Sequence, residues 1–314
     1  MKVSKSLLVV CLVGLTVGTA MAAEQAATTA PQKSESLACP IKGMVGYTFM
    51  SDYVWRSLNL TKALGGHSGK GANVANYGLG LDLADVSEDM AGMVWVKFDQ
   101  VYFNSYAGTD ASLAKTDFAA SYTLACPVMD GDWTLEYRNI SFNEVGILRG
   151  ADADTQEMSA QFAWNDGNWW KSVTGEDMGK RILNPTITYI YDYELAQGGL
   201  LLVGLSHPFD LAGISPDLDG LTLTPAPTLV VDNRYYGGMA NSLGTPLFNT
   251  NENVHKTTKI AYTQFNLDLG VNLSKMMGVT SGKLMANAGI GYVSSVESFL
   301  EDTLYSYAGI SYKW

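Results

Sequence analysis

The sequence lacks the features that mark helical membrane proteins and nucleic-acid-binding proteins. After residue 23, no stretch approaches the roughly 18 unbroken apolar residues that a transmembrane helix needs, which excludes a polytopic helical protein. Lysine and arginine number 20 against 31 acidic residues, a net charge of −11. This balance argues against nucleic acid, which is bound through basic side chains. Only 16% of the residues are charged, against about 25% in soluble domains.

Cysteine and histidine are also scarce, with three of each. The chain has no Cys-x-x-Cys metal motif, no glycine-rich phosphate loop and no complete calcium loop, so we expect no cofactor and no metal. Ser206 and His207 are neighbours in a predicted strand, point to opposite faces and cannot form a nucleophile–base pair. We therefore do not expect an enzyme. Abundant residues include 32 glycines and 17 tyrosines, and this composition suggests an all-β chain.

The N-terminus has the pattern of an export signal. Lys2 and Lys5 precede a short apolar run over 7–17, and Ala-Met-Ala at 20–22 fits the cleavage rule. We predict a signal peptide over residues 1–22, a flexible periplasmic segment over 23–40 and a barrel over 41–314. In an oxidising compartment, Cys39 and Cys126 could form a disulfide. Two free thiols remain the alternative, because these cysteines fall on strands one and four, which are not neighbours.

From residue 44 onward, apolar residues recur at every second position, the period of a strand with one apolar face. One face carries Leu, Val, Phe and Tyr, and the other carries Gly, Asn, Ser, Thr and Asp. Small polar residues suit the lumen of an outer-membrane barrel, whose apolar face meets lipid. The water-facing side of a soluble sandwich would carry more Lys and Glu. A secreted soluble β-sandwich that binds a sugar or a protein is the alternative class.

Twelve such runs can be counted, near residues 44–57, 75–85, 93–104, 115–126, 133–143, 156–164, 184–194, 200–209, 221–235, 260–273, 283–295 and 304–314. Each spans roughly the 9–11 residues of a transmembrane β-strand. We predict an all-β fold, an antiparallel transmembrane β-barrel of about 12 strands in the bacterial outer membrane. The connection over 165–183 is too long for a periplasmic turn. It holds either a small element built on Trp169 and Trp170 or two further strands, which would give 14.

The last predicted strand alternates up to Tyr312 and Trp314. A terminal aromatic residue on such a strand is what barrel-assembly machinery recognises, so we interpret these two residues as the assembly signal. The partners we expect are the lipid bilayer, lipopolysaccharide, the assembly machinery and small solutes. Aromatic residues near strand ends are predicted to form the girdles at the membrane interfaces: Tyr53, Trp55, Tyr122, Tyr189, Tyr193, Tyr312 and Trp314.

One segment resembles a known family. Ser51-Asp52-Tyr53 followed by Arg56 resembles the opening strand of the TorF-like porins, with Ser57 where that family usually has glycine. The stretch from Asn184-Pro185 through Tyr191-Asp192 to His207 is similar to the family's middle region. The resemblance implies an outer-membrane barrel for passive passage across the outer membrane.

With the apolar face outward, the charged residues of the other face are predicted to line a pore. We expect passive diffusion of small solutes or ions with cations preferred, because acids outnumber bases in this set. Arg56 is expected to pair with Asp82 or Asp99. Alternatively, the charges pair across the lumen and the chain is a plugged or scaffold barrel without conductance. The predicted pore-lining residues are Asp52, Arg56, Asp82, Lys97, Asp99, Asp117, Glu136, Arg138, Asp192, Asp232, Arg234 and Asp268.

Overall fold

The computed structural model of the chain describes residues 41–56, 58–61, 71–87, 90–104, 112–142, 154–177, 179, 181–243, 258–297 and 300–314. The predicted signal peptide over 1–22, the segment over 23–40 and Cys39 lie outside the described residues. In the described ranges, no helix has the length and hydrophobicity required to cross a membrane.

Twelve strands form the wall of the molecule. Each is antiparallel to its neighbours in chain order, and the first also pairs with the last, with Val45 opposite Tyr312. The sheet therefore closes into a barrel, which confirms the predicted fold and strand count. The single closed sheet excludes both the soluble sandwich and the 14-strand alternative. The strands are β1 Ile41–Met50, β2 Ala72–Asp82, β3 Met93–Phe103, β4 Ser112–Ala125, β5 Gly131–Phe142, β6 Thr155–Trp164, β7 Thr186–Asp192, β8 Gly198–Gly204, β9 Leu221–Asn233, β10 Lys259–Asn272, β11 Lys283–Ser295 and β12 Thr303–Lys313.

The outer surface of the barrel is apolar. On β2, Tyr77 and Leu79 are exposed while the alternating Asn76, Gly78 and Gly80 are buried. The same alternation holds around the wall, and so broad an apolar surface requires lipid contact. A closed antiparallel barrel of this kind belongs in the bacterial outer membrane. The exposed outward residues include Val45, Tyr47, Phe49, Leu135, Met158, Ile187, Tyr189, Val203, Phe265, Leu269, Ile290, Tyr292, Leu304 and Ile310.

Both ends of the barrel sequence lie at one rim, where β1 begins and β12 ends. This rim is periplasmic by the topology of even-stranded outer-membrane barrels, and the opposite rim is extracellular. Two helices follow strands at the periplasmic rim, α1 Gly167–Thr174 after β6 and α3 Leu273–Met277 after β10. Helix α2, Tyr235–Leu243, follows β9 at the extracellular rim. In its described residues, 165–177, 179 and 181–183, the long connection after β6 therefore holds a short helix and no further strand pair.

Strands β7 and β8 have seven residues each, fewer than the 9–11 predicted. Beyond β8 the chain continues along β9 through backbone bonds from Leu205 to Pro227 and from His207 to Pro225. Proline has no N–H with which to return these bonds. The ladder is therefore one-sided here, and the regular strand ends at Gly204.

The first strand ends earlier than the alternation predicts. After Met50 the chain turns into the barrel, and Val54–Trp55 pairs with Leu58–Asn59 in a short hairpin, here called the lumenal hairpin. Its turn includes Arg56 in the left-handed backbone region, with φ of 50°. Trp55 is buried in the core of the lumen, and Tyr53 packs against that core. The prediction that Tyr53 and Trp55 belong to an outward girdle is therefore wrong.

Candidate functional site

A cluster of apolar side chains occupies much of the extracellular half of the lumen. The lumenal hairpin contributes Trp55 and Leu58, and α2 contributes Tyr235, Tyr236 and Met239. Together these two segments form what we call the plug. They pack against inward residues from the outer ends of the strands, which are buried with them: Ala72, Val74, Val101, Phe103, Ile140, Ile190, Leu200, Leu202, Val230, Tyr262, Val293 and Tyr305.

A single glycine lets α2 lie against the barrel wall. A Cβ atom at Gly238 would lie 1.4 Å from the carbonyl oxygen of Ala196, in the β7–β8 turn. Such a distance is impossible for non-bonded atoms, and the nearby atoms are backbone. The position of α2 therefore depends on the absence of a side chain at Gly238.

Arg56 connects the hairpin to the wall and to α2. Its Nη2 donates to Oε2 of Glu157 on β6 at 2.8 Å. Glu157 Oε1 accepts from the Tyr235 hydroxyl at 2.9 Å, and the carbonyl oxygen of Arg56 accepts from the Tyr236 hydroxyl at 2.6 Å. These contacts join both parts of the plug to one wall strand, and we call them the Arg56 latch. The expected pairing of Arg56 with Asp82 or Asp99 is wrong, because the hairpin turn carries Arg56 towards β6.

Lys115 on β4 provides a second attachment for the hairpin. Its Nζ lies 2.5 Å from Oδ2 of Asp117 and 3.3 Å from the hydroxyl oxygen of Tyr53. The same nitrogen lies 5.4 to 5.9 Å from the ring centroids of Tyr53, Trp55 and Phe142. An ammonium enclosed by aromatic rings is stabilised by the negative faces of those rings. Two of the three rings belong to residues 53–55, so the buried charge of Lys115 holds that segment in the lumen.

Below the plug, the lumen carries ion pairs that are more exposed to water than the pair of Arg56 and Glu157. Arg56 and Glu157 have 12% and 2% of their side chains exposed. Lys97 and Glu136 have 20% and 10%, with Arg138 also bonded to Glu136 at 2.6 Å. At the periplasmic rim, Lys42 and Asp82 have 40% and 26%, while Arg181 and Asp132 have 14% and 19%. The periplasmic half of the lumen is therefore partly hydrated, and we call it the vestibule.

At the plug end of this vestibule lies a cavity of about 10 Å³, lined by Arg56, Arg138, Glu136, Glu157, Ser159 and Ile190. This volume has room for about one water molecule. The space among these six side chains is therefore too small for a solute larger than water.

The other predicted pore residues occupy varied positions. Asp99 on β3 accepts a hydrogen bond from Asn76. Asp268 on β10 accepts one from the hydroxyl of Tyr307. Asp52 lies beyond the end of β1 and accepts from Asn59 within the plug region.

At the extracellular ends of their strands, two carboxylates hold turns. Asp192 accepts from the backbone of Leu195 and Ala196, and Asp232 accepts from the backbone N–H of Tyr235 at the start of α2. Arg234 lies beyond the end of β9 with an exposed side chain and a left-handed backbone, so it lies off the inward face of the strand.

Sequence reasoning missed Glu157 and Lys115, although the signal was present. Both occupy inward positions of the alternating pattern on β6 and β4. Each lies at the outer end of its predicted run, next to a predicted loop, where alternation alone does not distinguish strand from loop. The inward path of residues 51–61 was not detectable by alternation, since Tyr53 and Trp55 continue the outward phase of β1.

The terminal strand closes the barrel at the periplasmic rim. Gly43 and Trp314 exchange two backbone hydrogen bonds of 3.0 Å. The Trp314 ring lies over Gly43, where a Cβ would be 2.0 Å from a ring atom, and it stacks on Tyr312.

Cys126 lies just after β4, where backbone N–H groups of Val128 and Met129 lower the pKa of its thiol. Its bridge to Cys39 stays a prediction.

Comparison with known proteins gives matches only among solved structures. No family model matches the chain, and no curated protein does. The outer membrane channel from Pseudomonas putida F1 is 11% identical over 91% of this chain and 100% of that one, with a TM-score of 0.44. OpdH from Pseudomonas aeruginosa is 10% identical over 87% of this chain and 67% of that one, with a TM-score of 0.35. OccAB3 from Acinetobacter baumannii is 8% identical over 87% of this chain and 98% of that one, with a TM-score of 0.34. Similarity of this degree carries no conclusion about what this chain binds or conducts.

Proposed function

We propose that the chain is a porin-like outer-membrane channel for passive diffusion of small solutes or ions, and that the state described here is its closed state. The observation that carries the proposal is the set of inward ion pairs below the plug, each of which is more exposed to water than the pair of Arg56 and Glu157. A barrel with a purely structural role has no need of a hydrated, charged vestibule. Twelve strands also enclose more space than the side-chain-filled lumen of an eight-stranded barrel.

The plug is the part that must move for conduction. It consists of two connecting segments, the lumenal hairpin and α2, and contains none of the wall strands. Among the described residues, the polar contacts that attach these segments to the wall include the Arg56 latch and the contact of Lys115 with Tyr53. The segments can therefore shift without breaking the barrel's hydrogen-bonded ladder.

A scaffold barrel without conductance is the second candidate. The apolar packing of the plug and the cavity of about 10 Å³ at its boundary favour it. The two candidates differ in one respect, namely whether loosening the plug produces conductance.

Planar-bilayer recording tests this difference. The Y235F/Y236F variant keeps both rings but removes two hydroxyl bonds, each worth about 1 kcal/mol, so open probability should rise about tenfold or more. Tyr193→Phe is the matched control, because this exposed hydroxyl bonds to Gln156 outside the plug. If both the wild type and the double variant form heat-modifiable barrels and conduct nothing, the scaffold candidate is correct.

Cation preference is the finer part of the proposal. It is supported by inward carboxylates whose described donors are neutral, such as Asp268 with the Tyr307 hydroxyl. A neutral donor leaves the negative charge of the carboxylate in the lumen. Asp82 adds a partly exposed carboxylate near the periplasmic rim.

Reversal potentials in asymmetric KCl test the preference, and Y235F/Y236F provides the open background. Adding Asp82→Asn and Asp268→Asn should lower the potassium-over-chloride permeability ratio. Asp52 is left unchanged, because its bond to Asn59 supports the hairpin. A background that favours chloride, or a ratio that the Asn changes leave unaltered, would reject cation preference while leaving the channel proposal intact.

Three further expectations belong to this proposal. Tyr312 and Trp314 would direct assembly through the barrel-assembly machinery, and the outer surface would contact lipopolysaccharide. Relationship to the TorF-like porins rests on Ser51, Asp52, Tyr53 and Arg56, and on the similar middle region.

A further inference from the structure

Helix α1 at the periplasmic rim has an exposed apolar face. Trp169 has 48% of its surface exposed and Val173 has 61%. Four residues apart, they lie on the same face of the helix. The opposite face is polar, and its Asn168 donates to Asp130 in the β4–β5 turn at 2.6 Å.

This apolar face is continuous with the lipid-facing surface of the barrel. Trp164 is the last residue of β6 and lies in phase with Met158, an exposed outward residue of the same strand. The Trp169 ring lies 6.5 Å from that of Trp164. Beside them, the outward rings of Trp133 and Phe162 lie 5.1 Å apart. The aromatic surface of the wall therefore extends onto the helix without a break.

Buried polar contacts fix the orientation of α1. The carboxylate of Asp166 is buried and accepts from Trp170 Nε1 at 2.9 Å. It also accepts from the backbone N–H groups of Ile182 and Leu183, each at 2.8 Å. Asp166 thus joins the start of the helix to the chain that returns into β7. The helix is held against the end of β6 with Trp169 beside the outer wall.

The charged residue on the helix suits the same location. Lys171 is half exposed and bonds to Asp177 at 2.7 Å, which lowers the pKa of that carboxyl. Tryptophan and lysine side chains both favour the boundary between hydrocarbon and headgroups. An amphipathic helix with such residues lies in the interface plane with its apolar face towards the acyl chains.

We infer that α1 is an interfacial anchor whose Trp169–Val173 face inserts into the phospholipid of the periplasmic leaflet. The occupant of this face is lipid, because the face continues a wall that already contacts lipid. The inference is independent of conductance, so it stands or fails separately from the proposed channel.

Quenching of tryptophan fluorescence by brominated lipid tests the anchor. The full mature chain is reconstituted at high dilution into phosphatidylcholine vesicles brominated near the headgroup end of the acyl chain. The difference in emission between the wild type and Trp169→Phe isolates Trp169. We expect this difference emission to lose at least half its intensity to the brominated lipid, and to resist aqueous acrylamide.

The matched control is Trp95→Phe. Trp95 lies on the inward face, with its ring over Gly80, so its difference emission should be insensitive to brominated lipid. Heat-modifiable migration verifies that both variants form barrels. If acrylamide quenches Trp169 freely, the face is exposed to water and the inference is wrong. If neither quencher reaches Trp169, a protein partner or a second copy covers it, and the inference is equally wrong.

Discussion

The two halves of the lumen are built on the same strands but differ in the residues on their inward faces. In the extracellular half, many inward positions are apolar, as at Val74, Ile140 and Val230, while Lys115 and Glu157 are buried members of ion pairs. In the periplasmic half, inward positions carry glycine, small polar residues and exposed ion pairs. Apolar residues on both faces of a barrel strand require an occupant inside the barrel, and the plug provides it.

The two halves also contain two kinds of ion pair, one buried and one partly hydrated. Arg56 and Glu157 are almost fully removed from water, so losing one partner leaves an uncompensated charge in a dry site. Lys42 and Asp82 are partly hydrated and can exchange their contact for water. Ion pairing should therefore stabilise the plug in the extracellular half of the lumen and contribute little stability in the periplasmic half.

Among changes to the plug, Gly238→Ala should have the largest effect on conductance. The added methyl group would overlap the carbonyl oxygen of Ala196, so α2 cannot keep its place against the wall. We expect the plug to be displaced and conductance to change from rare openings to a lasting open state. Single-channel recording in symmetric KCl measures this change.

Gly213→Ala is the control for that experiment, because no atom lies within 4 Å of a Cβ at Gly213 and its backbone is outside the left-handed region. It should behave as the wild type. Equal conductance of Gly238→Ala and Gly213→Ala, with both variants correctly assembled, would show that α2 does not close the lumen.

The second effect is that of Glu157→Gln. This change keeps the size of the side chain but leaves Arg56 without its charged partner. Breaking a buried pair costs about 3 kcal/mol, so the plug should loosen and the temperature at which it opens should fall. Trypsin cleavage after Arg56, resolved by mass spectrometry, should become faster. Unchanged protection of this bond would contradict the latch.

Lys115→Met should have the third largest effect. Methionine fills similar space but loses the bond to Asp117 and the attraction to three rings, while Lys115→Arg keeps the charge. The bond between Lys115 and Asp117 lies within β4, so what the hairpin itself loses is the cation–π attraction, worth about 2 kcal/mol at a desolvated site. We expect higher open probability for the Met variant and a smaller change for the Arg variant. If both variants open equally, volume and not charge holds the hairpin.

Alternation predicted the wall well, because lipid outside and a polar lumen inside impose a period of two on each strand. It failed where the chain leaves the wall. Tyr53 and Trp55 keep the outward phase of β1, yet they turn inward because Lys115 and the apolar outer lumen offer them partners. Those partners come from strands distant in sequence, and no local pattern encodes them. The same is true of Arg56, whose partner Glu157 is 101 residues away.

The smallest expected effect is that of Asp82→Asn in the periplasmic half. Asp82 pairs with Lys42 at 3.2 Å, and it also accepts from the backbone N–H of Ala84, a role that asparagine can keep. An exposed pair contributes about 0–1 kcal/mol, so the thermal transition followed by heat-modifiable migration should shift by a few degrees at most. At 1 M salt, where the screening length is about 3 Å, even this shift should vanish. The shift for Glu157→Gln should persist at the same salt, because water and ions do not reach that pair. Equal salt sensitivity of the two variants would mean that the halves of the lumen are equally hydrated, and the contrast between them would be wrong.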